Sequence, residues 1–189
     1  MWLRGIGSAG VALGAFFVAQ TANAAGQPAL AGCYERVYDT AHLSKHKKQF
    51  VVRATLSIKA APPEAQADKA NPNAATGDLK LWVRGRKQSF ESFGACESKG
   101  GILVCNGSLS AAETRKCKTK TDGVRDCRID SAQSGGFQIE ANLEGVLVTI
   151  HPRLELVPAP FDGGPFLSLS ETNPENHAFS LKKTAALCP

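Results

Sequence analysis

The stretch that decides the fold runs Cys96-Glu-Ser-Lys-Gly-Gly-Ile-Leu-Val-Cys105. Its adjacent glycines, Gly100 and Gly101, can both take positive φ, as a two-residue type I′ hairpin loop demands. Such a loop pairs Lys99 with Ile102, and counting outward puts Cys96 opposite Cys105. Bonded and non-bonded pairs alternate along an antiparallel ladder, so the two cysteines fall in a non-hydrogen-bonded pair, the closer kind, near enough to bridge. A slip of one residue would send the sulfurs to opposite faces. Hairpin and disulfide are therefore predicted together, and with them an antiparallel, bridge-stapled fold.

The next cysteines repeat the pattern with a different loop. Cys117 and Cys127 flank Thr121-Asp122-Gly123, a three-residue loop built on a type I turn with Gly in the left-handed position. Counting out from Lys120 and Val124 again sets the cysteines opposite each other. Of the six cysteines this leaves Cys33 and Cys188, which would tie the two ends of the mature chain together. In the loop-entropy model each short loop contributes about 2 to 3 kcal/mol and the end-to-end clamp about 5 kcal/mol, as upper values. The Cys-x2-Cys spacing that structural zinc prefers is absent from the sequence, and exported proteins usually oxidise their cysteines.

Strand periodicity surrounds these hairpins. Phe50, Val52, Ala54, Leu56 and Ile58 alternate with Val51, Arg53, Thr55, Ser57 and Lys59, which reads as one buried and one wet face. Leu79, Leu81 and Val83 show the same period, as do Phe137, Ile139, Ala141 and Leu143. Further strands read at 145–150, 153–157, 165–170 and 178–182. One short helix is expected between Asp39 and Gln49, capped by Asp39 or Thr40. Residues 60–77, rich in Ala, Pro and Asn, read as a long mobile loop. The predicted class is all-β with three disulfides and at most one short helix. The architecture is an antiparallel barrel, lipocalin-like in general outline, or a sandwich. A Cys33–Cys188 bridge would set the first and last strands together, which favours the barrel.

The N-terminus reads as a secretory signal. Arg4 is followed by an uncharged apolar run, Ile6 to Ala19, then by the small-residue site Ala22-Asn23-Ala24. The run is too short for a membrane helix, which needs about 20 apolar residues. Residues 1–24 are thus a signal peptide and 25–189 a single exported β domain, periplasmic or extracellular, with no transmembrane segment. Leu30-Ala31-Gly32-Cys33 also matches a lipoprotein cleavage box. Acylation of Cys33 would leave an odd number of cysteines in an oxidising compartment, so a lipid-anchored envelope protein is the alternative and a soluble one the expectation.

Chemistry is harder to find. His42 and His46 sit four apart, as in a two-histidine metal pair, but Lys45, Lys47 and Lys48 would repel a divalent cation, so a solvated basic turn is expected. His151 and His177 show no partners in the sequence. Gly107-Ser-Leu-Ser-Ala111 does not supply a nucleophile elbow, Asp122, Asp126 and Asp130 do not make a calcium loop, and no phosphate or dinucleotide loop is present. No catalytic residue, cofactor or metal is assigned.

What remains is charge. The chain carries a formal net charge of +5. The second hairpin, Glu113 to Arg128, holds six basic against three acidic residues, with Lys116, Lys118 and Lys120 alternating on one side. It reads as an anionic-surface contact or as an edge kept soluble by lysine. Nucleic acid is excluded as a partner by the compartment and by the lack of stacking aromatics. The expected function is a non-enzymatic exported binding module. Its partner would be an acidic protein such as a hydrolase, an anionic envelope component or a small apolar ligand. The alternative is an enzyme with a site assembled from dispersed residues. Mass spectrometry of the mature protein is expected to show an unmodified N-terminus at Ala25 or Gly26; a diacylglycerol-modified Cys33 as first residue would refute that.

Overall fold

In the computed structural model the Gly100-Gly101 turn forms with φ of 62° and 88°. Lys99 faces Ile102 and Cys96 faces Cys105. The two cysteines are bridged across a Cα separation of 4.0 Å, the spacing of a close antiparallel pair. The structure describes residues 30–61, 75–108, 118–119, 125–126, 135–161, 166–185 and 188.

Around this hairpin, β4 (Ser89–Lys99) and β5 (Ile102–Ser108), the chain is almost wholly strand. β1 (Gly32–Val37) leads through α1 (Thr40–Lys45) to β2 (Val51–Ala60) and β3 (Ala75–Val83). After β5 come the two-residue strands β6 (Lys118–Thr119) and β7 (Arg125–Asp126), then β8 (Gly135–Ala141), β9 (Gly145–Ala159), β10 (Leu167–Ser170) and β11 (Ala178–Thr184). Antiparallel pairing runs β9-β11-β1-β2-β3-β4-β5-β8, and β8 pairs in turn with β9. The 15-residue β9 outruns its neighbours. Its first half pairs with β11 and β8, its second half with β10, and its last residues with β4 through Ser89 opposite Ala159.

The two chain ends meet as their cysteines require. Cys33 opens the β1–β11 ladder opposite Thr184 and is bridged to Cys188, Cα to Cα 5.3 Å. Two disulfides in a β fold are the mark of an oxidising, exported compartment. Cys117 and Cys127 lie outside the described residues. The two pairs next to them are described: Lys118 faces Asp126 and Thr119 faces Arg125, the register obtained by counting from Lys120 and Val124.

Alternation sends one side chain in two inward. Along β3 Ala75, Gly77, Leu79, Leu81 and Val83 are all buried and their neighbours are not. Leu56, Leu79, Leu81, Ile139, Ile150, Leu154 and Leu181 are among the largest fully buried side chains. A row without side chains crosses this interior: Gly77 faces Gly94, and Gly94 faces Gly107. A Cβ on Gly94 would stand 3.0 Å from Cβ of Cys105 and 3.3 Å from the Phe137 ring. On Gly77 it would stand 3.3 Å from both Sγ of Cys96 and that same ring. The row leaves the space that Phe137 and the Cys96–Cys105 bridge fill.

Several sequence readings are corrected. The alternation in β2 does not extend back to Phe50 and Val52: Val51 is the buried residue, because a bulge between Val51 and Arg53 shifts the register. Nor is the outer face of β2 wet, since Thr55 is 4% and Ser57 8% exposed. β2 lies between two partner strands, and Glu35 and Lys80 flank Thr55 from either side. Ala75, Thr76 and Gly77, read as the end of a loop at 60–77, are strand. The segments 145–150 and 153–157 are one strand rather than two. The helix is confined to Thr40–Lys45, with Asp39 Oδ1 accepting from the His42 amide at 2.7 Å.

Asn176, which no sequence signal singled out, is fully buried at the start of β2. Its Oδ1 accepts the Phe50 and Val51 amides at 3.0 and 3.1 Å, and its Nδ2 donates to the Lys48 carbonyl and to Asn173 Oδ1, both at 3.0 Å. One side chain thereby holds the α1–β2 connection to the β10–β11 loop. Asn176→Ala strips partners from two amides and is expected to cost about 2 to 3 kcal/mol. Gly94→Val is expected to cost about 1 to 3 kcal/mol by driving Phe137 and Cys105 apart. Urea unfolding measures both, and a change below about 0.5 kcal/mol in either would contradict the packing described.

Candidate functional site

At one end of the sheet, where β2 begins and β3 stops, two connections carry most of the charge. The first follows α1 and holds Lys45, His46, Lys47 and Lys48, all exposed; the second is the β3–β4 turn with Arg84, Arg86 and Lys87, also exposed. Arg84 fastens them together by donating through Nη2 to the Leu43 carbonyl at 2.8 Å and the His46 carbonyl at 3.5 Å. A cation suits this place, because the last carbonyls of a helix have no intrahelical partner. With Arg84 so engaged, Lys45, Lys47, Lys48, Arg86 and Lys87 remain. None of these five has an ion pair among the described residues.

All four histidines of the chain lie at this same end. The rings of His42 and His46 stack with centroids 4.3 Å apart, and Tyr38 packs on the far side of His42 at 4.9 Å. His42 Nε2 is 2.9 Å from Gln49 Oε1, and His46 Nδ1 is 3.8 Å from Glu175. The stack turns the two rings face to face, and no group of three metal-capable side chains occurs among the described residues. His151 and His177, without partners in the sequence reading, are both engaged. His151 Nδ1 is 2.9 Å from Glu171, and His177 Nδ1 is 2.7 Å from the Asn173 carbonyl. The backbone of His177 accepts the Ile150 amide at 2.8 Å, which ties the start of β11 to β9.

Elsewhere charge is balanced. On the outer side of β1 and β2, Arg53 bonds Glu35 at 2.7 Å and lies 4.4 Å over the Trp82 ring. Lys80 pairs with Glu91 at 3.5 Å. A shallow groove along the β1–β11 seam is lined by Glu35, Val37, Lys182 and Thr184 among others. Its acids are already engaged, Glu35 with Arg53 and nearby Glu144 with Lys182 at 2.9 Å. Burial pushes the Tyr34 and Tyr38 phenols up, for Tyr38 against the opposing pull of Arg36, so both act here as packed, protonated side chains.

Of the sequence-derived contact residues, Lys118 lies in the short β6–β7 ladder, while Lys116 and Lys120 fall outside the described residues. β5 stops at Ser108 and β8 starts at Gly135, both toward the basic end, so the segment bearing these lysines is spliced into the chain there. Sequence reading found the 45–48 run but not its union with 84–87, nor the gathering of four histidines. The available hint was Arg84-Gly-Arg-Lys87 sitting directly after a predicted strand. Because the five cations have no partners to lose, replacing all of them with Gln is expected to change stability by less than about 0.5 kcal/mol. Thermal unfolding checks this, and a collapse of the fold would show that these side chains are structural. Comparison of the chain with known family models, curated proteins and solved structures gives no match.

Proposed function

We propose that the chain is an exported, non-enzymatic binding module that acts from its outer surface, with the basic end as its contact for an anionic partner. The observation that carries this reading is the convergence of five unpaired cations from two connections that Arg84 pins together. Like charges held close repel, so a fold that keeps them together without counter-charges favours a partner that supplies them. The lysines of 116–120 add to the same surface in this reading.

We read the pairing circuit as a barrel rather than a sandwich, since the β8–β9 ladder returns the sheet to the strand it started from. The interior favours an external site over a ligand-holding one. A cavity large enough for a small apolar ligand leaves its lining accessible, yet Leu79, Leu81, Ile139, Ile150, Leu154 and Leu156 have none of their surface accessible. An enzyme would gather titratable groups in a concavity. Here the cations sit on turns. The Cys33–Cys188 bridge supports the soluble form, because it occupies the thiol that acylation would use. The test is retention on an immobilised polyanion such as heparin or polyphosphate near neutral pH. The wild-type protein is expected to be retained and to elute with rising salt. The variant with Gln at the five positions should elute much earlier, and Gln at Lys116, Lys118 and Lys120 should shift elution further. Passage of the wild-type protein without retention would refute the reading.

A further inference from the structure

We propose that the basic end docks on an anionic lipid headgroup surface, and that the histidines gathered there strengthen the attachment as pH falls. The inference rests on the reading of this end as a polyanion contact and names the class of polyanion. The five free cations project from turns: Lys47 and Lys48 between α1 and β2, Arg86 and Lys87 between β3 and β4. Side chains on turns meet a broad flat surface more readily than a ligand that must be enclosed. Three of the five are lysines, compact point charges that need no fixed geometry in their partner, whereas the one arginine placed for directed bonds, Arg84, is spent on backbone carbonyls. A protein–protein contact draws its energy from buried aromatic and apolar anchors. The exposed large apolar side chains of the described residues are Val37, Phe93 and Leu143. Of these only Val37 stands at this end, and Leu143 caps the turn between β8 and β9 at the opposite one. Clusters of four to eight basic residues beside a bilayer bind anionic lipid by charge alone.

The histidines supply the second half. Imidazole is the side chain whose charge ordinarily changes between about pH 5 and 8, and this chain places all four of its imidazoles beside its free cations. Around His42 and His46 the charged or titratable neighbours are Tyr38, Asp39, Lys45 and Glu175, with Arg84 across the helix end. Around His151 and His177 they are Glu171 and Arg153. Acidification therefore adds positive charge to an end that already has an excess of it.

The experiment is co-sedimentation of the mature, oxidised protein with vesicles of phosphatidylcholine alone or with about a quarter phosphatidylglycerol, at about pH 7.5 and about pH 5.5. Binding is expected only to the anionic vesicles, roughly tenfold stronger at the lower pH, and lost when Lys45, Lys47, Lys48, Arg86 and Lys87 are all Gln. The exposed pair His46→Gln and His151→Gln should shrink the pH ratio while leaving binding at the higher pH intact, with thermal unfolding confirming that each variant is folded. Retention on heparin or polyphosphate without vesicle binding would overturn the lipid assignment and leave the polyanion reading standing; failure on both supports would overturn both. Vesicle binding that ignores pH would overturn the role of the histidines.

Discussion

Everything in this structure depends on β9 having both of its edges occupied. An unpaired strand edge leaves a row of donors and acceptors open to other chains. β9 meets β11 and β8 over its first half, then β10 and finally β4, so a single strand joins the last part of the sheet to the middle. The β1–β11 ladder completes the arrangement from the other side, and the Cys33–Cys188 bridge holds the outermost residues of that ladder in place. Since those cysteines are 155 residues apart, the bridge also restricts the unfolded chain more than any short hairpin loop does.

Such a sheet must bend, and its glycines show where. Gly77, Gly94 and Gly107 stand in one row across three strands. Without side chains there, Phe137 and the buried Cys96–Cys105 bridge come within van der Waals reach of the backbone. The first hairpin thus does two jobs: its turn sets the register, and its sulfurs fill part of the core.

Much of this was legible in the residues, and what was not has physical causes. Turn geometry at Gly100-Gly101 is local, so the register of Cys96 against Cys105 followed from counting. The Cys33–Cys188 pair followed by elimination and with it the meeting of β1 and β11. The bulge at Val52 and the buried outer face of β2 depend on which strands flank it, which no single stretch encodes. The glycine row is invisible one residue at a time, because each glycine alone reads as a weak point in a strand. Asn176 has four partners from three segments, all distant or irregular in sequence. The basic end was half legible: the 45–48 run stands out, while its union with 84–87 exists only because β2 and β3 are neighbours.

A core without accessible surface and a charged end divide the labour between holding shape and meeting a partner. Residues on the connections are free of packing demands, so charge can accumulate there at little cost to stability. The most direct measurement of this division is NMR mapping of the oxidised protein as an anionic partner is titrated in. The account predicts shift changes concentrated at residues 42–48 and 84–87, with the methyl signals of Leu79, Leu81 and Ile139 unmoved. Shifts centred on those interior methyls would place the site inside the fold and contradict it.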